Sequence, residues 1–144
     1  MKQMSESEFK KEAFASLKAE YLFVIIPFLL LVFIKWINNS IEDILLTSDW
    51  SLASCIIFGQ VALKVSQAVA ENNNRMHVGS YGYYSTKRLL GVIISILLYC
   101  AVILKPSSTL GGMQILWFFI ATYFHFKDGF AAKLLIRKGV IKKE

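Results

Sequence analysis

Four polar side chains recur along one otherwise apolar stretch: Gln60, Lys64, Gln67 and Glu71. At roughly 100° per residue, their spacings of four, three and four put them on one stripe of a helix. Lys64 is the only charge set inside that apolar segment, and such residues usually face a bundle interior, a wet cavity or a partner. The stripe offers two chemistries. It can line a pore or cavity, or it can tie helices together while Lys64 reaches the interface along its aliphatic stem.

A second polar set falls on a later apolar segment: Gln114, Thr122, His125 and Asp128. The last three are spaced by three and neighbour one another on a helix. Asp128 is placed to orient or charge His125, and depth matching predicts a Lys64–Asp128 contact. A proton-passing histidine and an interfacial one are both compatible with the spacing.

These residues need membrane helices to position them. The chain has 144 residues, 56% of them hydrophobic and 18% charged, with a mean hydropathy of +0.52. A soluble domain usually carries about 25% charged residues. The pattern predicts an all-α integral membrane protein, a four-helix transmembrane bundle with spans at about 21–37, 50–70, 89–104 and 110–126. Residues 1–20 are expected to be a cytoplasmic amphipathic helix, lying in the headgroups or extending the first span. Ser5 and Glu8 have the spacing of a capping box. Residues 127–144 are expected to form a basic cytoplasmic tail helix, and a polar loop is expected between spans two and three.

Lysines and arginines set the orientation. Thirteen fall on one side of the four spans, Lys35 and Lys105 fall on the other, and Lys64 lies within span two. That bias predicts both termini in the cytoplasm, with the bilayer being a bacterial cytoplasmic (inner) membrane. The cytoplasmic basic surface comprises Arg75, Lys87, Arg88, Lys133, Arg137, Lys138, Lys142 and Lys143, available to anionic lipid or to a cytosolic protein partner. No nucleic-acid motif accompanies the charge of +6.

Two cysteines make neither a disulfide framework nor a zinc site. Cys55 and Cys100 lie at similar depth near the outer face: they read either as two small, polarizable core residues or, if spans two and three pack as a hairpin, as thiols able to approach each other. No hydrolase, zinc-protease or phosphate-loop motif is present, so no enzymatic activity, cofactor or metal is expected. Mid-span carboxylates, which ion-coupled transporters use, are missing as well. Two function classes remain. One is a small homo-oligomeric, membrane-anchored interaction or sensor subunit, of a size and topology shared by toxin-immunity proteins and membrane components of bacterial defence systems. The other is an ion-conducting effector lined by Gln60, Lys64 and Gln67.

Overall fold

The computed structural model describes residues 5–38, 41–71 and 78–141, which are helical almost throughout. Five helices follow in order: α1 (Glu6–Ile37), α2 (Ile41–Leu46), α3 (Asp49–Glu71), α4 (Val78–Leu104) and α5 (Ser108–Ile141). The side chains of residues 41, 71, 78–85 and 138–141 lie outside this description, although their backbone is helical.

The Ser5 side chain accepts from the Glu8 amide at 3.2 Å, and Glu8 Oε2 accepts from the Ser5 amide at 2.9 Å. The Ser5 amide, and after it the Ser5 hydroxyl, hold the Glu8 carboxyl below its ordinary range. From this cap α1 runs unbroken through the charged segment and the apolar one. No glycine, cap or charge reversal at 20–21 gives the helix a reason to stop. Pro27 lies inside α1 without ending it. The same continuity joins 108–126 to the basic segment after it, so both terminal segments extend apolar helices. The polar loop expected up to Arg88 is likewise helical from Val78 onward, and residues 72–77 lie outside the described residues.

α1 and α5 run antiparallel along most of their length. Phe28 stacks on Phe118 at 5.7 Å, Tyr21 meets Thr122, Leu17 meets His125, and Arg137 covers the Phe9 ring at 4.4 Å. α3 packs on both α4 and α5, and the core gathers Phe28, Ala53, Ile57, Phe58, Phe118 and Ala121. Gly91 admits the Phe58 ring so closely that an added Cβ would lie 2.6 Å from it.

Three helices are long and apolar enough to cross a membrane: Glu6–Ile37, Asp49–Ala70 and Thr86–Leu104. On α5 the polarity is turned inward. Gln114, His125 and Asp128 are buried, whereas Met113, Leu116, Phe119 and Tyr123 are exposed. Along the apolar part of α1, Leu22, Phe23, Ile26, Leu30 and Phe33 are also exposed. An apolar exterior around buried polar groups is the arrangement a lipid solvent favours. The described residues are all-helical, and their three long apolar helices suit a membrane protein.

Candidate functional site

The polar side chains separate into two groups at opposite ends of the bundle. One lies near the middle of α1 and the C-terminal half of α5, on the side from which both helices extend to their terminal ends. The other lies at the link end, around α2.

At the terminal end, Glu20 of α1 forms ion pairs with Lys64 of α3 and with Lys133 of α5, the latter at 3.2 Å. Lys133 also donates to the Ser16 hydroxyl. One carboxylate thus joins three helices through two ammonium groups. The Lys64 side chain is only 18% exposed. A charge so placed needs its partner, because the surroundings solvate it poorly.

Beside this triad lies a second pair. Arg88 Nε of α4 meets Asp128 Oδ2 of α5 at 2.6 Å, and the guanidinium covers the Phe124 ring at 3.9 Å. Both residues are buried. The expected Lys64–Asp128 contact is therefore replaced by two others, Lys64–Glu20 and Arg88–Asp128. The reason lies in which helices are neighbours: α1 brings Glu20 to Lys64, while α4 brings Arg88 to Asp128. Arg88 and Lys133, expected on a basic surface, serve instead inside the bundle.

His125 is fully buried, and its Nε2 donates to the Leu17 carbonyl at 3.2 Å. A carbonyl can only accept, so Nε2 carries the proton. Nδ1 is buried with no hydrogen-bond partner. Thr122 and the Tyr21 hydroxyl share a hydrogen bond at 3.1 Å. Gly129 lets Leu17 approach this region, where an added Cβ would lie 2.6 Å from Leu17 Cδ2.

The residues of the stripe on α3 stand in different surroundings within one copy. Gln60 is half-buried, with Oε1 lacking a hydrogen-bond partner. Lys64 is engaged by Glu20, and Gln67 is exposed. The Glu71 side chain lies outside the description. Among the other basic positions, Lys87 is exposed, and the Lys138 side chain lies outside the description. Arg75, Lys142 and Lys143 lie outside the described residues altogether.

At the link end, Gln114 is fully buried and belongs to a separate device. Its Nε2 donates to the carbonyls of Thr47 and Leu45, at 2.6 and 3.1 Å, and Ser51 donates to its Oε1 at 2.9 Å. Trp50 Nε1 donates to the Ile44 carbonyl at 2.8 Å. These bonds clamp the α2–α3 link onto the start of α5, in a site that apolar side chains could not satisfy. Gly111 completes the fit, since a Cβ there would lie 2.6 Å from the Leu45 carbonyl oxygen. Cys55 and Cys100 are free thiols, and Cys100 is exposed. Among the described residues, no group of three His, Cys, Asp or Glu is placed to hold a metal ion.

Glu20 is the functional residue that motif reading missed. It stands among seven charges between residues 6 and 20, and its one distinguishing sign is that it immediately precedes the apolar run. Comparison of the chain with protein-family models, curated proteins and solved structures returned no match.

Proposed function

We propose that this chain is a homo-oligomeric, membrane-anchored interaction subunit. It crosses the bilayer four times with both termini in the cytoplasm, and it couples the membrane to a cytosolic partner. α5 supplies the fourth span: its first 19 residues rise about 28 Å, close to the ~30 Å hydrocarbon core. It falls short of the other helices in hydropathy because its polar residues face the bundle, where lipid does not meet them. The thirteen-to-two bias in Lys and Arg gives the orientation.

The observation that carries the reading is the Glu20–Lys64–Lys133 triad. It ties the spans to two charged helical extensions, residues 6–20 of α1 and 127–141 of α5, which continue the spans without a joint. A tilt or shift of a span then moves its extension as a lever rather than being absorbed by a loop. The conducting alternative loses its central residue, because Lys64 is neutralised within its own protomer.

The test has two arms. Purified protein in liposomes should hold an ion gradient, for wild type and for Lys64→Leu alike; a leak that Lys64→Leu alters would make the chain a pore. A photo-crosslinker at exposed Lys127 in living cells should give one dominant adduct with a cytosolic protein. Lipid adducts alone would overturn the interaction reading.

A further inference from the structure

The two extensions leave a groove between them. It encloses about 420 Å³ and is lined on the α1 side by Phe9, Glu12 and Ala13, and on the α5 side by Lys133, Ile136 and Arg137. Its depth excludes the hydrocarbon and most of the headgroup layer. Residues 9–13 stand 8–12 positions before the first apolar span, about 12–18 Å along the axis. Membrane lipid therefore does not reach the groove, and any partner there comes from the aqueous side.

The walls of the groove differ in sign. Glu12 is exposed and makes no ion pair among the described residues, while the opposite wall carries Lys133, which Glu20 also holds, and Arg137, which lies over the Phe9 ring. An acidic helix would suit the α5 wall and be repelled by Glu12; a basic helix would meet the reverse. A surface carrying acid on one side and base on the other is complementary to itself after a half-turn.

We infer that the groove is occupied by the same groove of a second copy, giving a cytoplasmic stalk of four helices. A two-fold axis along the membrane normal sets α1 of each copy against α5 of the other. That axis preserves height. Within one copy Ser16 meets Lys133 and Phe9 meets Arg137, so Glu12 lies at a level between the two cations. The half-turn therefore brings Glu12 of one copy to the level of Lys133 and Arg137 of the other, twice per dimer. Phe9 and Ile136, both half-buried within one copy, supply the apolar seam between the two charged rows. The inference rests on the membrane reading, both in placing the groove outside the bilayer and in requiring both copies to stand in one bilayer with one orientation.

The test uses full-length chains carrying two different tags, co-expressed and co-purified from membranes. Wild-type copies should co-purify. A pair with Glu12→Lys on both copies should lose about tenfold in recovery, because two like-charged rows then face each other; Arg137→Glu on both should lose less, since Lys133 remains in its row. Pairing a Glu12→Lys copy with an Arg137→Glu copy restores opposite charges at both rows, and recovery should return. That restoration also demonstrates that both variants fold. Wild-type copies that fail to co-purify, a Glu12→Lys pair recovered as well as wild type, or a mixed pair that stays apart would each overturn the inference. Membrane fractionation of the same cells tests insertion separately.

Discussion

The two ends of the bundle use polar groups in opposite ways. At the link end Gln114, Ser51 and two backbone carbonyls form a neutral, fully buried clamp around a turn held at close range. At the terminal end the ties are ionic, they join separate helices, and Glu20 remains 35% exposed. A neutral amide clamp has one satisfactory geometry and fixes the link in place. An ion triad with a wet carboxylate tolerates several geometries, since either lysine can hold Glu20 while the other shifts. On the proposed reading the link end is the anchor, and movement is directed to the end that carries the extensions.

That contrast can be broken at either end. The largest effect is expected from Asp128→Asn, which leaves the Arg88 guanidinium buried without its counter-charge. Removing one partner of a buried pair costs about 3–5 kcal/mol, to be read as a lower unfolding midpoint in detergent. Gln114→Leu should cost about 2–3 kcal/mol, since it strands two carbonyls and the Ser51 hydroxyl. Gly111→Ala should act on the same clamp by forcing the Leu45 carbonyl away, and combining it with Gln114→Leu should cost less than the sum of the two.

Glu20→Gln should cost only about 1–2 kcal/mol, its exposure discounting the buried-pair figure. Its effect should also shrink in high salt, whereas that of Gln114→Leu should not. The smallest change is expected at the helix start, where Ser5→Ala removes half of the capping box and frays the first turn, typically by ~1 kcal/mol. The Glu8 carboxyl is lowered in the folded chain. Its contribution is therefore complete above the ordinary carboxylate value and is lost as the pH falls through the folded one. Carbon chemical shifts of residues 6–9 across an acid titration would follow that loss; Ser5→Ala, which keeps the backbone amide that bonds Glu8 Oε2, should weaken the dependence, and Glu8→Gln should abolish it.

The helices were legible because their signals are local. Ser5 and Glu8 announce the start of α1, and apolar runs between charged segments place the membrane-crossing helices. Partnerships were less legible, because they depend on which helices become neighbours. Lys64 reads as a charge needing a partner, yet nothing along the chain says that α1 will bring Glu20 to it while α4 takes Asp128. Arg88 reads as a loop cation because helix α4 begins earlier than its polar sequence suggests. Gln114 was grouped with His125 by sharing a helix. Eleven residues of rise, about 16 Å, already put them at different ends.

The coupling of spans to extensions is the central claim, and distance measurement across the extensions tests it most directly. Spin labels at the exposed positions Ala15 and Ala131, introduced as Ala15→Cys and Ala131→Cys with Cys55→Ala and Cys100→Ala, would report the α1–α5 separation in bilayers, with labelled copies diluted in unlabelled ones. The account predicts a narrow distribution that lengthens and broadens with Glu20→Gln but stays unchanged with Ser5→Ala. A distribution already broad in the otherwise wild-type chain, or one indifferent to Glu20→Gln, would contradict it.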